Sequence, residues 1–213
     1  MSAATIAPSA VPNQVKDLLE LGPVVYLGGV TKENFLKLIE RFPDHRMERE
    51  PDGLVTIIPP THGGSGSREL TLGQRVKNWQ DLRNNGMTFG PSTGFDLPTG
   101  ATKSPDVAWM SDASLALLSP KDIEEEFVPA APDFVAEIRS SSDSLEKLKT
   151  KMKDTWIANG VRLAWLIDPY EETAWIYRAD GTVEKIEGFD NQLSGEEVMP
   201  DFVLELAEFK VKK

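Results

Sequence analysis

The chain has 213 residues with 23 Lys+Arg against 34 Asp+Glu, a formal net charge of −11, and 40% apolar residues. That apolar share can bury a sizeable core, which excludes a disordered chain. The acidic balance excludes a binder driven by global phosphate neutralisation, so any DNA contact must come from a local patch. Cysteine is absent, which excludes disulfides, zinc–thiolate sites and thiol nucleophiles.

The start, MSAATIAPSAVP, lacks the basic and apolar regions of a signal peptide, and residues 1–13 read as a flexible tail. Residues 14–213 read as a single domain. No stretch approaches the ~18 uninterrupted apolar residues of a membrane span. A cytoplasmic location is the default expectation.

Residues 31–42 carry Phe35, Leu38, Ile39 and Phe42 at helical spacing behind Thr31, a predicted N-cap. A hairpin follows, HRMERE and LVTIIP turning at Pro51-Asp52-Gly53. THGGSGS (61–67) reads as a loop, and 67–85 as a helix with Leu72, Val76 and Trp79 on its buried stripe and Leu82 or Arg83 at its edge. Short strands are expected at 87–89, 93–97 and 105–110, and an acidic helical stretch at 121–127. A strand is expected at 133–139. The spacing predicts a helix over 144–158, with Asp143 as N-cap and Asn159-Gly160 as its stop. Strand 162–168 is apolar enough to be central, a hairpin turns at Asp180-Gly181, and FVLEL (202–206) is a last strand. The pattern is α+β, a mixed sheet flanked by helices, with additional β-hairpins.

Two strands set a carboxylate among apolar neighbours. In SPDVAWM, alternation puts Asp106 with Ala108 and Met110; in DFVAEIR, it puts Glu137 with Asp133, Val135 and Arg139. A mid-strand Glu between Ala and Ile is costly to bury without a cation or donor. Two such carboxylates on adjacent strands would make an oxygen-rich site for Mg²⁺. Glu69 lies near the apolar stripe of its helix; it either joins such a site or complements the helix dipole from the first turn. Lys147, Lys149, Lys151 and Lys153 crowd the helix 144–158 and read either as a solvated cationic face or as a source of one site cation. His45 and His62 stand on different elements, which argues against a zinc site or a Ser-His-Asp triad. Gly63, Gly64 and Gly66 lack the Gly-Lys-Ser/Thr ending of a nucleotide loop.

The strings STGFDLPTGATKSPDVAW (92–109), VAEIRSSSDSLEKLKTKM and NGVRLAWLIDP resemble the bacterial family described as "putative restriction endonucleases", within the PD-(D/E)xK nuclease superfamily. The resemblance extends roughly from 31 to 206. It implies a restriction-endonuclease-like fold in which Asp106 and Glu137 ligate Mg²⁺ or Mn²⁺, with Glu69 as the acid from the first core helix. The sequence departs from the superfamily at Glu137-Ile138-Arg139, where Glu-x-Lys is expected; Arg stays protonated and cannot act as a base. The resemblance moves the lysine to the next helix, at Lys151. One extra residue before Trp156 keeps Lys149 and Lys153 open.

The expected function is therefore metal-dependent hydrolysis of DNA by Asp106, Glu137 and Lys151, in a homodimer that pairs two sites on a duplex. Phe35, Phe42 and the edge strands after 170 are the expected dimer contacts. The alternatives are a non-catalytic nuclease-like binding module and a metal-dependent hydrolase of another substrate. A nuclease should show a basic rim from Arg68, Arg75, Arg139 and the lysine helix.

Overall fold

The computed structural model describes residues 28–211 in full, with the backbone of strands at 5–6 and 25–27. The remainder of the 1–13 segment lies outside the described residues. In chain order the elements are β1 (Thr5–Ile6), β2 (Val25–Leu27), α1 (Lys32–Arg41), β3 (Arg46–Arg49), β4 (Val55–Ile58), α2 (Gly63–Arg83), β5 (Met87–Phe89), β6 (Phe95–Asp96), β7 (Thr102–Lys103) and β8 (Val107–Met110). Then follow α3 (Asp112–Leu115), α4 (Pro120–Glu124), β9 (Phe134–Ile138), α5 (Leu145–Thr150), a π-helical turn (Lys151–Trp156), a 3-10 turn (Ile157–Asn159), β10 (Leu163–Asp168), β11 (Thr173–Arg178), β12 (Val183–Glu187), β13 (Gln192–Ser194) and β14 (Val203–Glu205). They gather into two compact units, one of residues 1–60 and 94–104, the other of 61–93 and 105–213.

The first unit is a six-stranded sheet in the order β1-β2-β4-β3-β7-β6, with α1. Thr31 caps α1 by accepting the Asn34 N–H, and the helix turns Phe35 wholly inward. Phe35, expected at a dimer contact, is fully buried within its own unit, whereas Leu38, Ile39 and Phe42 are only half-buried. The β3–β4 hairpin turns at Gly53, whose φ is +86°. Strand β3 buries charge: Lys103 of β7 pairs with Glu48 and Glu50, while Arg49 donates to the carbonyls of Val30 and Gly100.

The second unit is built on a six-stranded mixed sheet in the order β12-β11-β10-β9-β8-β5. β9 and β10 run parallel, joined by the helical segment 145–159, and the other pairs are antiparallel. The α+β class with a mixed central sheet is thus the observed one. One face of the sheet packs Val107, Trp109, Phe134, Ala136, Ile138 and Trp165 under Leu72, Val76 and Trp79 of α2. Trp79 meets Trp109 edge-on at 5.2 Å. The last strand pairs with β13 in a separate two-stranded sheet, and Phe202, just before that strand, stacks on Trp165.

Three local expectations need correction. Residues 63–67 are helical, not loop: α2 begins at Gly63, since burying Ser65 and the stripe beyond it outweighs the poor helix propensity of three glycines. Leu82 is exposed rather than part of the buried stripe. The N-cap of α5 is Ser144, not Asp143, which instead accepts the Ser140 N–H in a local turn.

Candidate metal and catalytic site

The register of β8 on β9 builds the site. Val107 stands opposite Ala136, so the residue before one and the residue after the other, Asp106 and Glu137, come side by side at the end of the β8–β9 ladder. The Asp106 Oδ2 accepts the backbone N–H of Ile138 at 2.7 Å, which ties the carboxylate to the end of β9. Asp106 keeps partial exposure as a residue, yet its carboxylate is desolvated. Burial, and then the negative charges of Glu137 and Glu69, push it up to about 8; the Ile138 N–H and Lys151 oppose the rise.

Glu137 is 5% exposed and its Oε1 accepts two donors. The Lys151 ammonium lies 2.7 Å away, and the Trp156 indole N–H donates at 2.8 Å. Lys149 instead pairs with Glu146 and lies 5.0 Å from the Trp175 ring centre, and Lys153 is exposed. Of the lysines left open by spacing, Lys151 is the one that meets Glu137. Trp156 is fully buried and a polar partner as well. The signal for it is its spacing of five from Lys151, which an α-helical reading cannot use.

Glu69 occupies the second turn of α2, because the helix starts at Gly63 and has no acid in its first turn. The reading of Glu69 as a first-turn dipole partner therefore falls. The α2 backbone passes close to Val107 at Gly73, where an added Cβ would meet a Val107 methyl at 3.8 Å. One turn earlier, Glu69 acts electrostatically on Asp106, more weakly than Glu137 does. Asp133 stays out of the site: at the other end of β9 it accepts from the Ser111 N–H, the Ser114 hydroxyl and Arg162.

Among the described residues, no three His, Asp or Glu side chains are already gathered tightly enough to hold a metal ion. The donor chemistry nonetheless fits a hard divalent cation. Asp106 and Glu137 offer oxygens from neighbouring strands, and Glu69 is within electrostatic reach of Asp106.

The surroundings of the site are less basic than the sequence suggests. Arg75 is spent on Glu208, and Arg139 on the buried Asp168. Arg68 has no carboxylate partner among the described residues; it donates to the Phe209 carbonyl and lies over Tyr170. His62, an N-cap without a side-chain capping bond, lines a cavity of about 350 Å³ together with Arg68 and Tyr170. No helix among the described residues is long and apolar enough to cross a membrane.

A model of the Uma2 family, described as "Putative restriction endonuclease", matches residues 33–207. Among solved structures, the chain is similar to the crystal structure of a "putative nuclease belonging to DUF820" from Anabaena variabilis ATCC 29413, at 20% identity and a TM-score of 0.70. That similarity covers 84% of this chain and 97% of the other, and it establishes a shared fold. No curated protein matches the chain.

Proposed function

The chain belongs to the Uma2 family of restriction-endonuclease-like proteins, and from that premise we propose that it is a divalent-metal-dependent DNA endonuclease hydrolysing phosphodiester bonds. The observation that carries the reading is the facing pair Asp106 and Glu137 with the Lys151 ammonium 2.7 Å from Glu137. Asp106 and Glu137 would hold Mg²⁺ or Mn²⁺, with Glu69 as a third acid on the Asp106 side. A bound metal supplies Lewis-acid stabilisation and lowers the pKa of water. Lys151 donates hydrogen bonds to the attacking water and offsets negative charge on the phosphoryl oxygens. Arg139 takes no part, since its guanidinium is permanently protonated and already paired. Two copies acting on the two strands of a duplex favour a homodimer, and a DNA substrate favours a cytoplasmic location.

The test is incubation of the full chain with plasmid and single-stranded DNA in Mg²⁺ or Mn²⁺, beside Asp106→Asn. Cleavage by the wild type that disappears in the variant supports the reading. Equal cleavage by both, or none by the wild type, overturns it.

A second reading draws on the paired rim. With Arg75 and Arg139 both neutralised, the same site suits a metal-dependent hydrolase of a substrate other than DNA. Absence of salt-sensitive DNA binding, together with metal-dependent hydrolysis of a small phosphodiester, would favour it.

A further inference from the structure

We propose that Trp156 is a positioning residue, whose indole N–H holds one oxygen of Glu137 and leaves the other to face a metal; the inference rests on the metal-dependent reading above. The backbone makes this arrangement possible. In an α-helix, residues five apart point about 140° from each other, so Lys151 and Trp156 could not address one oxygen. The segment Lys151–Trp156 is instead a π-helical turn, closed by i→i+5 hydrogen bonds that bring the fifth residue back round to the first. Both donors consequently meet at the Glu137 Oε1, at 2.7 and 2.8 Å.

The two donors differ in kind. Lys151 arrives on a long stem and is 21% exposed at its side chain, whereas Trp156 is fully buried. An indole has one donor, no acceptor and no charge to lose, so it fixes the carboxylate at any pH. The pairing is not what burial of a Trp gives by default in this fold. The indole nitrogens of Trp109 and Trp165 are also buried, and neither has a hydrogen-bond partner among the described residues. Trp156 alone of these three spends its N–H on a carboxylate, and that carboxylate belongs to the site.

Two measurements test the inference on the full chain. In metal-free protein, the indole N–H resonance of Trp156, assigned by through-bond and through-space correlations in the wild type, should exchange slowly with solvent and should move in Glu137→Ala. A resonance that exchanges fast, or that ignores the loss of Glu137, overturns the inference. In calorimetric titration with Mn²⁺ alone, Trp156→Phe keeps the ring but removes the donor, and its affinity should fall about 10–100-fold, the usual effect of losing an outer-shell partner. Unchanged Mn²⁺ affinity in a folded Trp156→Phe overturns the positioning role. A wild type that binds no Mn²⁺ overturns the metal reading instead, and the resonance then decides whether Trp156 holds Glu137. The resonance also decides if Trp156→Phe does not fold, since wild type and Glu137→Ala carry that comparison.

Discussion

Arg139 donates from its guanidinium to the Oδ2 of Asp168 at 2.7 Å, and Asp168 is completely buried. The remaining oxygen of Asp168 accepts the backbone N–H groups of Tyr170 and Glu171, closing the turn after β10. Arg139, two residues after Glu137 along the chain, is thus a structural ion-pair partner. Arg139→Ala leaves the Asp168 charge buried with only those neutral donors, and should cost about 3 kcal/mol in urea unfolding. Adding Asp168→Asn should recover part of that loss. A loss under ~0.5 kcal/mol in Arg139→Ala would show that the pair contributes little.

The lysines of the helical segment 145–159 should separate cleanly in function. Lys151→Met removes the ammonium at Glu137 and should lower DNA cleavage by about 10²–10³-fold, the scale of losing one preorganised electrostatic contact. Lys149→Met and Lys153→Met should stay within about twofold, since neither side chain meets Glu137. Initial rates on supercoiled plasmid check the order. A Lys149 effect equal to that of Lys151 would reassign the cation.

The raised Asp106 makes metal-free stability depend on pH with a definite sign. Unfolded, its carboxyl titrates near the ordinary value of about 3.9. Folded, burial followed by Glu137 pushes it up to about 8. Between these values the folded state holds a proton that the unfolded state has lost, so stability falls as pH rises through this window. Asp106→Asn removes the dependence. In EDTA, the variant should be more stable than wild type at pH 8, and the difference should shrink by pH 5. Parallel urea midpoints at the two pH values would contradict it.

Gly53 turns the β3–β4 hairpin at φ +86°, and an added Cβ would lie 2.7 Å from the Val30 carbonyl oxygen. The Val30 N–H also donates to the Gly53 carbonyl at 2.9 Å, so the two backbones cannot separate without losing that bond. Gly53→Ala should destabilise by more than about 1 kcal/mol, from both the left-handed backbone and the clash. Chemical denaturation checks it; a midpoint shift near zero would mean that the turn relaxes freely.

Much of the fold was legible because it rests on local pattern. Alternation in SPDVAWM and DFVAEIR separates Asp106 and Glu137 from Val107, Ala136 and Ile138, and the latter set joins the cluster packed with α2. The Thr31 cap, the Pro51-Asp52-Gly53 turn and the Asp180-Gly181 hairpin follow from residue chemistry at single positions. The start of α2 did not, since Gly63, Gly64 and Gly66 oppose a helix and only packing beyond them enforces one.

The site divides along the same line. By itself the sequence determined that two strands each carry a carboxylate among apolar neighbours, because side-chain alternation is a property of each strand alone; that the strands are neighbours came from their register. Which lysine serves that pair, and that a tryptophan shares its oxygen, only the tertiary structure decided. Helical spacing at 100° per residue cannot register a π-helical turn, whose wider winding brings Lys151 and Trp156 together onto Glu137. The neutralisation of Arg75 and Arg139 was equally invisible, because Glu208 and Asp168 lie 133 and 29 residues away along the chain and only folding sets those charges side by side.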